Sequence, residues 1–155
     1  MGFTHLNVAS AYSAHYGTNR PEPLVAAANA MGFDALAITD RDGLYGAIKH
    51  IGACIREGIS PIVGANLEVF GEQSLGRITI LAQGHNRGAG WATLCRIVSK
   101  AHQSTGRDKR PMIALSDLSQ LISQSPSCTV LLGPQSQLAD AVLHDPAAAG
   151  SLLAA

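Results

Sequence analysis

Apolar residues recur along this chain at two different spacings, and the alternation between them outlines the fold. Residues 3 to 10 place Phe3, Leu6 and Val8 among polar positions and then turn small and polar, which predicts a short strand running into a loop, with His5 and Asn7 pointing the same way. After Pro21-Glu22, the residues Leu24, Val25, Ala28 and Met31 follow helical spacing until Gly32, so a helix of about three turns is expected there. Ala35-Leu36-Ala37-Ile38 is a continuous apolar run, the pattern of a strand buried on both faces, and it places Asp40 at the strand's carboxyl end. Leu44, Ala47, Ile48, Ile51 and Ile55 mark a second helix ended by Gly58, and Ile59 to Gly64 supply the next strand. Strand, helix, strand, helix, strand implies right-handed crossovers around a parallel sheet.

Further on, Leu67–Phe70 and Arg77–Ala82 are two strand-like pieces joined either as a hairpin or by a strand reversal. Trp91, Leu94, Cys95, Val98 and His102 share one face of a helix expected from about Asn86 to His102. Ser104 to Pro111 reads as a polar turn, Leu115 to Ser123 as a helix, and Cys128 to Leu132 as another buried strand. Ser136 is placed to cap a short helix through Leu143, and residues 147 to 155 form an apolar, Ala-rich helical stretch.

Composition narrows the class. The 155 residues are 46% hydrophobic and 14% charged, which excludes disorder as the main state and fits one domain over residues 1–155. Eleven Lys and Arg cancel eleven Asp and Glu, so no global field draws polyanions, and DNA contact is expected only indirectly or through a local patch. Such a patch exists at Arg107, Lys109 and Arg110, which also reads as a solvated turn. Three cysteines without a C-x-x-C spacing suit a reducing, cytoplasmic setting, and no run approaches the roughly 18 apolar residues of a membrane span.

Candidate chemistry gathers at the predicted strand ends. His5, Asn7, Asp40 and Asn66 all map there, but only His5 and Asp40 are strong metal-ligand types, and two are too few for a site. Asp40 is equally suited to cap the helix after Gly43. Arg41 would repel a cation by about 4 kcal/mol at about 4 Å and an effective dielectric near 20, unless it pairs with Asp42. Gly84 to Gly90 lacks the Gly-Lys-Ser/Thr ending of a phosphate loop, and Ser10, Ser13 and His15 lack an orienting acid and oxyanion hole, so no catalytic residue is assigned.

Three stretches carry a family resemblance: residues 3 to 13, Ala35 to Gly43 with Thr39-Asp40-Arg41-Asp42-Gly43 at its end, and Pro61-Ile62-Val63-Gly64-Ala65-Asn66. Together they resemble the amino-terminal PHP (polymerase and histidinol phosphatase) domain of bacterial DNA polymerase III alpha subunits. Ile80 to Ala101 and Leu131-Leu132-Gly133-Pro134 are similar to the polymerase branch, and the loop Ala9 to Ser13 resembles actinobacterial alpha-subunit or error-prone polymerase variants.

The resemblance implies an α/β fold, a partial PHP-type distorted (β/α) barrel with mostly parallel strands, lacking the polymerase palm, fingers and thumb. It also implies a divalent metal cluster (zinc, manganese or magnesium) at the carboxyl face, with phosphoester hydrolysis, in members that keep the ligands. Here the family's His-x-His is His5 and Asn7, its Asp-His is Asp40 and Arg41, its Glu after Pro-Ile-Val-Gly is Asn66, and Arg77 stands where many relatives carry histidine. An amide is a weak ligand and a guanidinium an anti-ligand, so the expectation is a degenerate site, no cofactor and no catalysis by this chain alone. The implied role is structural, within a replicative or translesion DNA polymerase whose remainder, or whose replisome partners, it would contact. The alternatives are a metal-dependent phosphoesterase recruiting His15, His50 or His85, and a non-catalytic interaction module that binds through an open barrel edge.

Overall fold

In a computed structural model of the chain, residues 3–72, 74–84, 88–105, 109–147 and 149–150 are described. The helices are α1 (Pro21–Ala30), α2 (Ala47–Glu57), α3 (Ala89–Thr105), α4 (Leu115–Gln124) and α5 (Gln137–His144). The strands are β1 (Ala35–Ile38), β2 (Ser60–Phe70), β3 (Ser74–Ala82), β4 (Met112–Ala114) and β5 (Cys128–Leu131). The sheet runs β1-β2-β3-β5, with β4 also paired to β2. Strand β2 is parallel to β1 through its first half and to β4 through its last residues, whereas the β2–β3 and β3–β5 pairings are antiparallel. The sheet is therefore mixed, and the connection left open at residues 71 to 76 is a hairpin. The pieces 59–64 and 67–70 merge into one eleven-residue strand.

The hairpin register sorts the side chains. Ala65 opposite Ile80, and Leu67 opposite Ile78, put aliphatic groups on one face, where Leu94, Ile97, Ala101, Ile113 and Leu118 close the main core. Asn66 opposite Thr79, and Glu68 opposite Arg77, put polar groups on the other face. A second core of Val25, Ala28, Leu36, Ala53, Cys54 and Ile59 holds α1 and α2 against β1. Gly58 ends α2 at φ 73°, the left-handed conformation that glycine reaches without a Cβ clash. Ser136 Oγ accepts from Ala139 N and caps α5, as the sequence suggests.

Several expectations are corrected. Residues 3 to 10 form no strand. They run beside β1 as an irregular segment, with Ala37 N donating to His5 O and Thr39 N to Val8 O; the unequal spacing, three residues against two, breaks the ladder. Helix α2 begins at Ala47 rather than Leu44. Strand β4 lies just after the expected polar turn and was too short to show a period. Strand β5, at one end of the strand order, is partly exposed rather than buried. The buried stripe of α3 is Gly90, Thr93, Leu94, Ile97 and Ala101, one residue out of step with the expected face, so Trp91 and His102 face outward. An apolar groove of about 570 Å³ lies among β3, β5, α4 and α5, lined by Ile78, Leu118, Ile122, Val130 and Leu138.

His50 of α2 is 1% exposed, and its Nε2–H donates to Leu36 O at 2.9 Å. Burial holds its pKa below the ordinary value of 6.5. The unfolded chain therefore takes up a proton near pH 6.5 that the folded chain refuses, so stability is complete above pH 6.5 and falls as the pH drops toward the lower folded pKa. The slope should reach at most about 1.4 kcal/mol per pH unit. Urea midpoints between pH 5 and pH 8 should show this loss in the natural chain and a weaker one in His50→Gln.

Candidate functional site

The polar centre lies where β1, β2 and the segment before α1 meet, at the carboxyl end of β1. Asp40 sits there, 2% exposed, because β1 delivers it inward just after Thr39. Its Oδ1 accepts from Ser10 N at 2.7 Å and Ser13 Oγ at 2.8 Å, and its Oδ2 accepts from Ser10 Oγ at 2.9 Å. Ser13 Oγ in turn accepts from Arg41 N at 2.9 Å. The carboxylate is thus a clamp on the loop between residues 9 and 19, which also folds on itself through Ser13 N to Ser10 O and Gly17 N to Ser13 O. Asp40 does not cap α2, whose N-cap Gly46 has no side-chain cap; a Cβ on Gly46 would lie 2.5 Å from Asp40 Oδ2. The serines donate to the acid directly, with no histidine between, so they form no nucleophilic relay.

Beside this clamp lies Arg77, 8% exposed. Its Nε donates to Asn66 Oδ1 and its Nη2 to Asn66 O and to Asp42 Oδ1, each at 2.6 Å, while Nη1 lies 3.8 Å from Glu68 Oε2. Asn66 also donates from Nδ2 to Thr79 Oγ1 at 3.2 Å. One guanidinium thereby joins β2, β3 and the turn after β1. That turn holds Asp42 at φ 60°, with His102 Nε2–H donating to Asp42 O at 2.6 Å.

Arg41 does not pair with Asp42. Its guanidinium stacks on the Tyr16 ring, 3.3 Å from the centroid, and Nη2 donates to Gln135 Oε1 at 2.5 Å. Burial, and next the positive charge of Arg77, pull its pKa down from the ordinary arginine value, yet an arginine stays protonated. Asn7 accepts from Thr39 Oγ1 at 3.0 Å, and the His5 ring lies against Phe3 and Phe33. A cleft of about 240 Å³ opens between Asn7, Tyr16, Arg41, Asn66, Arg77 and Gln135.

The structure thus brings Asn7, Arg41 and Asn66 to one mouth, keeps Asp40 buried in the adjoining serine clamp, and engages the His5 ring with phenylalanines. Lys109 and Arg110 lie exposed in the segment before β4; Arg107 and His85 lie outside the described residues. Sequence reasoning missed the serine clamp, Tyr16, Gln135 and the central place of Arg77. For Arg77 the signal was partial: a hairpin brings the two strand-like pieces together, but the register that sets Glu68 opposite Arg77 includes a shift between Val69 and Phe70 that the sequence does not mark. For Gln135, 94 residues from Arg41, there was none.

This donor set does not suit a divalent cation. Both Asp40 oxygens are taken by three donors, Asn66 offers an amide already bonded to Arg77, and two guanidiniums share the mouth. Each would repel an ion about 4 Å away by about 4 kcal/mol per unit charge at an effective dielectric near 20. Among the described residues no three His, Cys, Asp or Glu side chains gather in a way that could hold a metal. The three thiols are all pushed up by burial, which suppresses the thiolate needed of a nucleophile or ligand.

A mixed sheet flanked by helices, with its polar centre at a strand's carboxyl end, defines an α/β protein. The chain belongs to the PHP domain family, which it matches over residues 5–150. It is 33% identical over 130 residues to an error-prone DNA polymerase of Corynebacterium diphtheriae, a match covering 84% of this chain and 12% of that protein. To DNA polymerase III subunit alpha of Escherichia coli K12 it is 42% identical over 105 residues, covering 65% of this chain and 9% of the other. The chain spans about a tenth of the length of these curated relatives, and it is homologous to their amino-terminal PHP region. A solved amidohydrolase from Chromobacterium violaceum aligns at 21% identity and a TM-score of 0.47, over 79% of this chain and 50% of that one. No helix among the described residues is long and apolar enough to cross a membrane.

Proposed function

We propose that this PHP domain is a structural, non-hydrolytic unit of a cytoplasmic DNA polymerase of the III alpha or error-prone type, acting as one domain against the remainder of that polymerase. The observation that carries the reading is the Arg77 guanidinium, buried among Asn66, Asp42 and Glu68 at the mouth. A fixed organic cation there neutralises the nearby carboxylates and binds three segments together, which is the structural part of what a metal would do. It supplies no open coordination position and no activated water, so no hydrolytic step follows from it. His5, Asn7, Asp40, Arg41 and Asn66 are on this reading a degenerate metal site, kept as a framework.

The test is equilibrium titration with manganese and with zinc, followed by metal analysis after dialysis and an assay with bis(p-nitrophenyl) phosphate. The expected result is no stoichiometric metal and no hydrolysis above the metal-only background. A tight site lost in His5→Ala, together with turnover, would replace this reading with a metal-dependent phosphoesterase.

A further inference from the structure

The outer face of α2 carries large apolar side chains that the fold leaves in water. Ile48 is 69% exposed and Ile55 71%, and Tyr45, just before the helix, is 61% exposed. Ile48 and Ile55 are two turns apart on one line of the helix, and Gly52 falls between them on the same face. Ile51, one step further round, packs against the main core and lines an apolar hollow of about 210 Å³ with Pro61, Val63 and Trp91. The apolar stripe therefore runs from the helix into a recess.

Gly52 is not explained by the fold. Glycine in the middle of a helix destabilises it relative to alanine. Among the described residues nothing needs the missing side chain, since a Cβ there would meet only Arg56 Nη1, at 3.6 Å, an ordinary contact. What the small residue does provide is a notch between two isoleucine ridges, where a second helix can approach closely. Lys49 and Arg56 form one edge of the stripe. Both are exposed, and neither forms a salt bridge among the described residues; Lys49 Nζ lies 5.6 Å from the centroid of the Tyr12 ring.

We propose that this face docks an amphipathic helix of a partner protein, apolar along the line that meets Ile48, Gly52 and Ile55, and acidic along the edge that meets Lys49 and Arg56. The notch selects a helix, and the two cations select its charge. The same cations oppose an antiparallel second copy. Crossing at Gly52, it would set Lys49, three residues before the notch, beside Arg56 of the other copy, four residues after it. The inference stands apart from the reading of the mouth, since none of its residues belongs there.

The experiment titrates the full chain, labelled with nitrogen-15, with a synthetic helical peptide of about 18 residues that carries leucines at helical spacing and glutamates along one edge. A second peptide has lysines in place of the glutamates. The amides of Ile48, Gly52 and Ile55 should shift, and the glutamate peptide should bind about tenfold tighter than the lysine one. Lys49→Glu with Arg56→Glu should invert that preference, a gain that damage to the fold cannot produce. Gly52→Leu should weaken the glutamate peptide at least about tenfold by filling the notch. Gly52→Ala should raise the melting temperature of the free chain by about 2 to 4 °C, because the fold itself has no use for glycine there. Circular dichroism verifies that each variant folds. Unshifted amides on α2, equal binding of the two peptides, no inversion in the double variant, a lowered melting temperature in Gly52→Ala, or self-association of the free chain that Gly52→Leu abolishes would overturn the proposal.

Discussion

Arg77→Ala should lower the unfolding free energy by about 3 kcal/mol in urea denaturation. Removing the guanidinium leaves the Asn66 amide oxygen without its 2.6 Å donor and leaves Asp42 and Glu68 facing the same space without a cation. Breaking a buried ion pair from one side usually costs about 3 to 5 kcal/mol; the lower end applies because Asp42 and Glu68 retain some water. Arg77→Lys should recover only part of the loss, since an ammonium cannot direct separate donors to Asn66 Oδ1, Asn66 O and Asp42 at once. A loss under about 1 kcal/mol for Arg77→Ala would show that the guanidinium does not hold the mouth together, and the structural reading would lose its central support.

Asp40→Ala should cost a similar amount, about 3 kcal/mol, for a different reason. Here three donors, the Ser10 N–H and the hydroxyls of Ser10 and Ser13, lose one shared acceptor in a site with almost no access to water. The Ser10 N–H cannot rotate to find another partner, so the loop between residues 9 and 19 should loosen. Limited chymotryptic cleavage at Tyr12 and Tyr16 should accelerate well before global unfolding. Asp40→Asn is the informative companion, because it keeps the volume but turns one acceptor into a donor facing donors. It should destabilise by about 2 kcal/mol, whereas a purely space-filling role for Asp40 would leave it near neutral.

How far the sequence disclosed the molecule depended on the range of the interaction involved. Helices α1 and α2, strand β1 and the Ser136 cap were legible because caps, glycine stops and periodicity act over a few residues. The place of Asp40 at the end of β1 was legible for the same reason. The segment 3 to 10 was misread because its apolar alternation is real while its hydrogen bonds to β1 are out of step. The one-residue error in the face of α3 arose because small residues, Gly90 and Ala101, carry little weight in an apolar count yet pack closest to the core. At the mouth, the residue types at 5, 7, 40, 41 and 66 were apparent from the resemblance, but not what they bind. The ties from Arg41 to Gln135 and from Ser10 to Asp40 span 94 and 30 residues. No local pattern records such pairings.

The register of the β2–β3 hairpin bears on which length changes the gene can tolerate. Residues near the tip, at Gly71 and Glu72, are exposed and precede the paired positions of β3, so an added residue there alters only a surface turn. One residue lost between Arg77 and Ala82 inverts the strand beyond it, driving aliphatic groups into the ionic layer and polar ones into the oily layer. A lineage carrying this domain can therefore vary in size at the bend, while a few positions away the same single-codon event is ruinous.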